Sequence, residues 1–324
     1  MPTIQNNTAQ SSTKNQKRLI GWLKILLAVS VLIILIFWIR PEELIKSLLG
    51  ANPWMLILAL VLLVPNVLFQ GIRWAYLLRR QTPGVPLKEI LASLFLGWTL
   101  GIPTPGGVGQ FARAFAVPSA PTLPTIGLTF VDKLFTLVWI VLAGAAGIFS
   151  FHIVPTFIVW ICLPVALFIV WLAFSPQLLN RILQALCRRL PFRDILRKII
   201  SVLDHLNTRD CLIAHIWSLL LVVTFLSQFV ILVAAFLPLE YLDGLRAAAA
   251  VVFIKTVLPL TFNGLGFGEW LSTNFFGLFG VPKAAAFNAS ILLFSINLVI
   301  PSLVGLFFLP ALKLSKKEKV GNQP

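Results

Sequence analysis

The sequence predicts an all-α, polytopic helical membrane protein, with about six full spans and two re-entrant helical hairpins in an inverted repeat. The first observation is composition, because 58% of the 324 residues are hydrophobic and only 11% are charged. A soluble domain of this length cannot bury so much apolar surface. The second observation is that apolar runs long enough to cross a bilayer recur along the chain. The third is a pair of proline- and glycine-rich breaks within apolar sequence, which a simple spanning helix does not contain.

The N-terminal region predicts a cytoplasmic tail followed by a retained signal anchor. Residues 1–18 are polar and basic, so we expect a disordered tail. The apolar run 19–39 is long enough to span, and Arg40-Pro41-Glu42-Glu43 follows it where a cleavage site would need small residues. Because the flanking charge before this run is positive, the N-terminus is expected in the cytoplasm. A single transmembrane domain, 19–312, then precedes a basic cytoplasmic tail, 313–324.

The first half of the transmembrane domain, 19–152, contains the first predicted hairpin. A second span runs from Pro53, which suits a first helical turn, to about Leu78. An apolar helix over 86–102 is short for a span and ends at the sequence PTPGG. A second short helix, about 109–117, precedes a third span over about 124–151. Two short apolar helices around a break predict a re-entrant hairpin; ordinary short spans, eight in all, are the alternative.

The second half, 153–312, repeats this order from the opposite side. Its charged loops place the second broken element outside, whereas the first enters from the cytoplasm. Two broken elements in corresponding halves predict the inverted repeat of an alternating-access protein. The predicted elements are a fourth span over 154–174, a fifth over 211–237, a hairpin of helices 247–260 and 269–279, and a sixth span over 284–309.

A polar segment, 175–210, separates the fourth and fifth spans. Seven basic residues face three acidic ones in it, which predicts a cytoplasmic location. Its apolar residues recur at helical spacing, so we expect amphipathic helices with a basic face on anionic headgroups. A protein-docking face is the alternative. The net charge of +15 is explained in the same way, by loops beside anionic lipid, and we expect no nucleic-acid partner.

Only two acidic residues, Asp132 and Glu269, fall within apolar runs. An ionisable group there is costly unless it is paired or hydrated, and is therefore a functional candidate. We expect Asp132 to pair with Arg113 or Arg73, and Glu269 to pair with Lys255 or Arg113. The alternatives are structural ion pairs that fix the hairpins and, for Arg73, an arginine that snorkels to the interface. The candidate headgroup pathway comprises Arg73, Arg113, Asp132, Lys133, Lys255 and Glu269.

The helix breaks are the second group of candidate residues. Glycines let backbones approach and leave N–H groups free at half-helix N-termini, where the helix dipole attracts anions such as phosphate. The residues expected to form the two breaks are Pro103, Gly106, Gly107, Gly109, Pro259, Asn263, Gly264, Gly266 and Gly268.

Several chemistries have no motif in this sequence. The phosphate-binding pattern GxxxxGK[ST] and the hydrolase patterns GxSxG and HExxH are missing. The three cysteines form no CxxC pair, so neither a disulfide framework nor a zinc site is expected. We expect no metal, no cofactor and no catalytic residues.

The sequence resembles the membrane region of the lysylphosphatidylglycerol synthase/flippase family over roughly residues 15–312. The matching pieces are Arg73-Trp74, the segment from Pro103 to Arg113, Asp132-Lys133, and the GLGFGE sequence that ends at Glu269. Two departures stand out. Gly109-Gln110 replaces the family's Gly-Glu, which puts a proton-relay role at Gln110 in doubt. Asp132-Lys133 replaces Glu-Arg and keeps both charges.

The resemblance implies a multi-pass protein of the bacterial or archaeal cell (inner) membrane that translocates lipid. In two-part members a soluble domain makes the aminoacyl-lipid and the membrane region flips it. Because this chain ends just after the sixth span, we expect translocation and no enzymatic activity. The implied partners are membrane lipids, either anionic or aminoacylated phospholipid or a polyprenyl-linked lipid. A non-transporting partner of a lipid-modifying enzyme or glycosyltransferase is the second hypothesis, and an intramembrane enzyme is the third.

Overall fold

The computed structural model describes residues 49–104, 107–151, 164, 168, 170–187, 193–258 and 265–311. In these ranges the secondary structure is helical without strands, which confirms the all-α prediction. The predicted first span, most of the fourth span and both terminal tails lie outside the described residues. So do four of the predicted break residues, Gly106, Pro259, Asn263 and Gly264.

Ten α-helices are bounded within the described ranges. They are α1 (Pro53–Gln81), α2 (Leu87–Gly101), α3 (Thr122–Ser150), α4 (Pro176–Cys187), α5 (Arg193–Ile200), α6 (Thr208–Ala234), α7 (Tyr241–Val257), α8 (Phe267–Gly277), α9 (Lys283–Phe294) and α10 (Ile300–Leu306). Short 3₁₀ helices cover Val108–Ala116, Ser201–His205 and Leu309–Ala311, and a π-helical turn, Ser295–Val299, joins α9 to α10.

Four helices of the described chain are long and apolar enough to cross a bilayer. They are α1, α3, α6 and the continuous helix Lys283–Leu306, which combines α9, the π turn and α10. These four match the predicted second, third, fifth and sixth spans. The protein is therefore a polytopic membrane protein, and the total of six spans stays a prediction.

The packing of the helices is reciprocal between the two halves. Helix α1 packs along α6, its counterpart in the second half. Helix α2 of the first half packs against α10 of the second half. Helix α7, which corresponds to α2, packs against α3, which corresponds to α9–α10. A pseudo-two-fold relation between halves requires this exchange of partners, so the contacts support the predicted inverted repeat.

The first predicted hairpin folds back on itself. Gly107 adopts the left-handed conformation (φ 69°), and the following segment, Val108–Ala116, is a 3₁₀ helix that packs on α2. The Gly109 amide donates to Thr104 Oγ1 at 2.7 Å, and the Leu100 carbonyl lies against the Gly109 α-carbon, where a side chain would be. The predicted short second helix is therefore confirmed, with 3₁₀ rather than α geometry.

We expect Gly109→Ala to destabilise the protein by at least about 2 kcal/mol, because a methyl group would collide with a main-chain carbonyl that cannot move aside. Gly277→Ala is the matched control. Gly277 ends α8 with open space around it, so alanine there should be neutral or slightly stabilising. Thermal unfolding in detergent compares the two. Equal unfolding temperatures for both variants would show that the α2–3₁₀ contact tolerates expansion.

One sequence-based boundary was wrong, and one amphipathic helix has an additional contact. Helix α7 begins at Tyr241, six residues before its predicted start, so Asp243 and Arg246 belong to its first turns instead of a loop. They form an exposed ion pair at 3.0 Å, and the carboxylate of Asp243 suits the positive end of the helix dipole. The amphipathic helices α4 and α5 do form, but α5 also packs on α3, where the Ile199 carbonyl lies against Gly127.

Candidate functional site

Asp132 lies between two arginines in the interior of the helix bundle. Its Oδ1 accepts a hydrogen bond from Arg73 Nε at 2.7 Å, and its Oδ2 accepts one from Arg113 Nη2 at 2.9 Å. All three side chains are at most 3% exposed. The sequence predicted a pair of Asp132 with one arginine or the other, and the structure shows both pairs together. The burial of Arg73 rules out the snorkelling alternative.

The three charged residues come from three different elements. Arg73 is on α1, Asp132 is on α3, and Arg113 is on the 3₁₀ helix of the first hairpin. Small hydroxyl side chains hold the arginines in place. Arg73 Nη1 donates to Thr136 Oγ1 at 2.7 Å and to Ser218 Oγ at 2.5 Å, and Arg113 Nε donates to Thr129 Oγ1 at 3.0 Å.

Trp74 forms a platform for Arg113. The guanidinium carbon lies 3.7 Å from the centre of the indole ring, within cation–π range. The indole Nε1 donates to Ser93 Oγ at 2.7 Å, and this bond fixes the ring against α2. The Arg-Trp pair that carried the family resemblance thus has two separate tasks: the arginine binds the carboxylate, and the tryptophan orients the second arginine.

The second charged residue on α3, Lys133, points away from Asp132 as its neighbouring position on a helix requires. Its ammonium donates to Gln110 Oε1 on the 3₁₀ helix of the first hairpin. Gln110 therefore serves as an uncharged acceptor that ties the hairpin to α3.

This first-half site carries more positive than negative charge. Two cations, Arg73 and Arg113, contact the single carboxylate of Asp132. A third, Lys133, follows Asp132 on α3 and bonds to Gln110. Excess buried charge in a low-dielectric region is costly, so the site favours an additional anion.

The second-half site is built around Glu269 at the start of α8. The side chain is 3% exposed, and its Oε1 is 3.5 Å from the Ser290 hydroxyl. Its Oε2 has no hydrogen-bond partner in the described structure. The Lys255 side chain passes beside Gly268 instead, and the described residues place no cation within 4.0 Å of Glu269. Lys255 therefore lies outside ion-pair distance of Glu269 but close enough to attract it electrostatically, whereas Arg113 is bound to Asp132.

Sequence reasoning missed a cluster of three amide side chains, two of them buried and the third partly buried. Asn66 Nδ2 donates to Gln228 Oε1 at 2.8 Å and to Asn297 Oδ1 at 3.1 Å, and Asn297 Nδ2 donates to the same Gln228 oxygen at 2.8 Å. Asn66 and Gln228 lie on α1 and α6, so the cluster joins the two halves. The available signal was three uncharged polar residues inside spans, two of them near prolines.

Sequence reasoning also did not predict the contacts that join the end of α1 to the start of α6. Asp210, predicted to lie in a cytoplasmic loop, is 1% exposed and sits in the first turn of α6. It completes a capping box with Asn207, accepts a hydrogen bond from Tyr76 at 2.5 Å and pairs with Arg80 at 2.9 Å. At the start of α1 and the end of α6, the main-chain N–H of Asn52 donates to the main-chain carbonyl of Ala235 at 2.8 Å. These contacts fasten α1 to α6 along their whole length.

The fold and the site together define a polytopic helical membrane protein with buried charge at the junction of its elements. The chain matches the family described as "Lysylphosphatidylglycerol synthase TM region" over residues 22–305. It therefore belongs to this family, as the sequence motifs predicted, and to the membrane proteins of lipid metabolism and translocation. Searches of curated proteins and of solved structures found no match.

Proposed function

We propose that this protein moves a phosphate-bearing lipid between the leaflets of the cell membrane. The observation that carries the proposal is the cluster of Arg73, Asp132 and Arg113. It is buried, and it has excess positive charge because two guanidinium groups share a single carboxylate. Arginine forks match phosphate oxygens in charge and geometry, so a phosphate ester would balance the second positive charge of the cluster.

The cluster lies between elements whose relative movement would open it to one side of the membrane or the other. Arg113 and Gln110 lie on the first hairpin, whereas Asp132 and Lys133 lie on α3. Movement of the hairpin relative to α3 must break or remake the contacts between these pairs. Helices α1 and α6 are held together at both ends and at the centre, so they form the fixed part against which hairpins would move.

The remaining candidates have supporting roles in the same proposal. Lys133 would couple the hairpin to α3 through Gln110. Glu269 and Lys255, at the corresponding break of the second half, would receive a cationic group or relay protons, because the Glu269 carboxylate is buried with a free oxygen. Translocation is preferred to lipid synthesis because the matched family is the membrane region of the synthase.

The test is transport by the purified full chain in liposomes. A fluorescent phosphatidic acid and a fluorescent glycosyl-diacylglycerol, which lacks phosphate, would be followed by loss of dithionite-accessible label. We expect the protein to accelerate movement of the phospholipid alone. Arg113→Gln should slow it by about 10-fold, since one charge-assisted hydrogen bond contributes about 1.5–3 kcal/mol.

Arg246→Gln is the control, because Arg246 forms only an exposed pair with Asp243 and should affect transport little. Equal acceleration of the lipid without phosphate would contradict phosphate recognition at the arginines. Rates no higher than those of empty vesicles for every lipid would contradict translocation and favour the non-transporting partner role.

A further inference from the structure

The last described span, Lys283–Leu306, consists of two helical segments joined by a π turn. In this turn, Ser295–Val299, the Ile300 amide donates to the Ser295 carbonyl, five residues back instead of four. Pro301 follows and has no amide hydrogen with which to continue the helical hydrogen bonds. The main-chain bonds that stiffen a helix are therefore interrupted between α9 and α10, and helices bend at such interruptions.

The apolar packing of this span changes at the same turn. Up to Ile296, its buried apolar residues belong to the large core cluster formed with α6, α7 and α8. Leu298 and Val299 pack instead on Ile102, at the end of α2 in the first hairpin. The end of the span packs on α2 and on the 3₁₀ helix of the same hairpin. The π turn therefore separates a segment that packs with the second half from a segment that packs with the first hairpin.

Helix α10 contacts the first hairpin through its main chain. Thr99 Oγ1 on α2 donates to the Ser302 carbonyl at 2.8 Å. The Phe95 carbonyl lies against the α-carbon of Gly305, where a side chain would be. Packing this close resists sliding, so α10 and α2 are expected to move together. Because the 3₁₀ helix that carries Arg113 also packs on α2, it belongs to the same rigid unit.

Asn297, at the centre of the π turn, is held by the fixed pair of helices. Its Nδ2 donates to Gln228 Oε1 on α6 at 2.8 Å, and its Oδ1 accepts a hydrogen bond from Asn66 Nδ2 on α1 at 3.1 Å. These bonds keep the turn in place while the segments on either side of it change their angle. A largely apolar cavity of about 200 Å³ lies beside Asn297 and extends to Trp98 of α2 and Thr136 of α3. Close-packed interiors resist displacement, and this space gives α2 room to move.

We propose that the π turn is a hinge on which α10 and the first hairpin swing as one rigid unit relative to α3. The span that corresponds to α9–α10 is α3, a regular α-helix over Thr122–Ser150 that carries Asp132 and Lys133. A swing of the hairpin separates Arg113 from Asp132 and Gln110 from Lys133, and so opens the arginine cluster. The inference deepens the proposed function and rests on it for the purpose of the swing, whereas the swing itself can be measured without transport.

Pulsed EPR distances in the full chain, reconstituted in liposomes, test the hinge directly. The three native cysteines are replaced, and spin labels are attached at two exposed positions, Val223 on α6 and Val304 on α10. The comparison pair keeps Val223 and moves the second label to Ala284, which is exposed on α9. We expect the Val223–Val304 distance distribution to be at least about twice as broad as that of Val223–Ala284, because only α10 lies beyond the hinge.

Two variants stiffen the turn. Deletion of Val299 removes one residue from the π turn, which leaves a regular α-helical turn and preserves the faces of α9 and α10. Pro301→Ala restores the missing amide and keeps the test available if the deletion variant does not fold. Each should narrow the Val223–Val304 distribution and slow phospholipid transport by about 10-fold, because the swing limits the rate. Pro65→Ala is the matched control: Pro65 interrupts α1, in the fixed pair, so its replacement should change neither measurement.

The outcomes separate the hinge from the proposed function. Equal widths for the α10 and α9 label pairs overturn the hinge, and transport by the same preparation would leave translocation standing with a different motion. A broad Val223–Val304 distribution that persists in a folded Pro301→Ala or Val299-deletion variant also overturns it. A broad distribution that narrows in these variants, in a protein that transports no lipid, supports the hinge and contradicts the translocase.

Discussion

Asp132→Ala is expected to lower the free energy of unfolding by about 3–5 kcal/mol, the largest stability effect among the predicted variants. The carboxylate accepts hydrogen bonds from Arg73 and Arg113 at 2.7 and 2.9 Å, and all three groups are buried. Without it, two guanidinium groups would face each other in a low-dielectric interior with no anion between them. Protein purified in detergent should unfold about 10 °C below the wild type, as followed by tryptophan fluorescence.

The comparison variant is Asp243→Ala, which removes an ion pair of similar length at 3.0 Å from a largely exposed position. Its expected effect is below about 1 kcal/mol, because water compensates the remaining charge. A double variant, Asp132→Ala with Arg113→Gln, should recover part of the stability, since it also removes one of the unpaired charges. If Asp132→Ala unfolded at the wild-type temperature, the carboxylate would not be holding the three elements together.

Glu269→Gln is expected to reduce lipid transport to the rate of empty vesicles while changing stability by less than about 1 kcal/mol. Glutamine keeps the size of the side chain and an oxygen for the Ser290 hydroxyl at 3.5 Å. Lys255 interacts with the Glu269 charge only from beyond ion-pair distance, so the charge should affect folding weakly. A role in transport does depend on it, whether the carboxylate relays a proton or binds a cationic group. The measurement is the dithionite assay, paired with thermal unfolding of the same preparation.

Glu240→Gln serves as the control, because Glu240 is exposed at the start of α7 and should leave both transport and stability unchanged. A wild-type transport rate in Glu269→Gln would remove Glu269 from the mechanism. A large loss of stability in Glu269→Gln would instead show that Glu269 belongs to a structural ion pair that fixes the second hairpin, the alternative given by the sequence. Asp132 and Glu269 are thus expected to differ: the first variant should affect folding most, and the second should affect transport most.

The charged candidates were accessible from the sequence for a simple physical reason. Charge inside an apolar run is expensive, so the few positions that carry it stand out without any structure. Asp132, Arg73 and Arg113 were found in this way, together with their pairing. Glu269 was also found, but its partner was not, because the approach of Lys255 to Gly268 depends on how α7 and α8 pack.

The amide cluster escaped the same reasoning. Single Asn or Gln residues in a span carry no charge, and many have only a local hydrogen bond. Asn66, Gln228 and Asn297 are separated by up to 231 positions, so their contact is a product of the packing of α1 on α6 and on the π turn. Asp210 was missed for the opposite reason: it lies in a charged stretch that suggested solvent, whereas Tyr76 and the helix cap bury it.

The order of residues was enough to establish the membrane-protein class, the four described spans and the acidic residues that need partners. Hydropathy, helix period and the cost of buried charge are local properties, and each can be calculated from the order of residues alone. The folded structure was needed to show that one carboxylate binds two arginines from different elements, that the amides meet, and that a cavity forms beside them. These depend on which helix faces come together, and that choice is made by packing across the whole bundle.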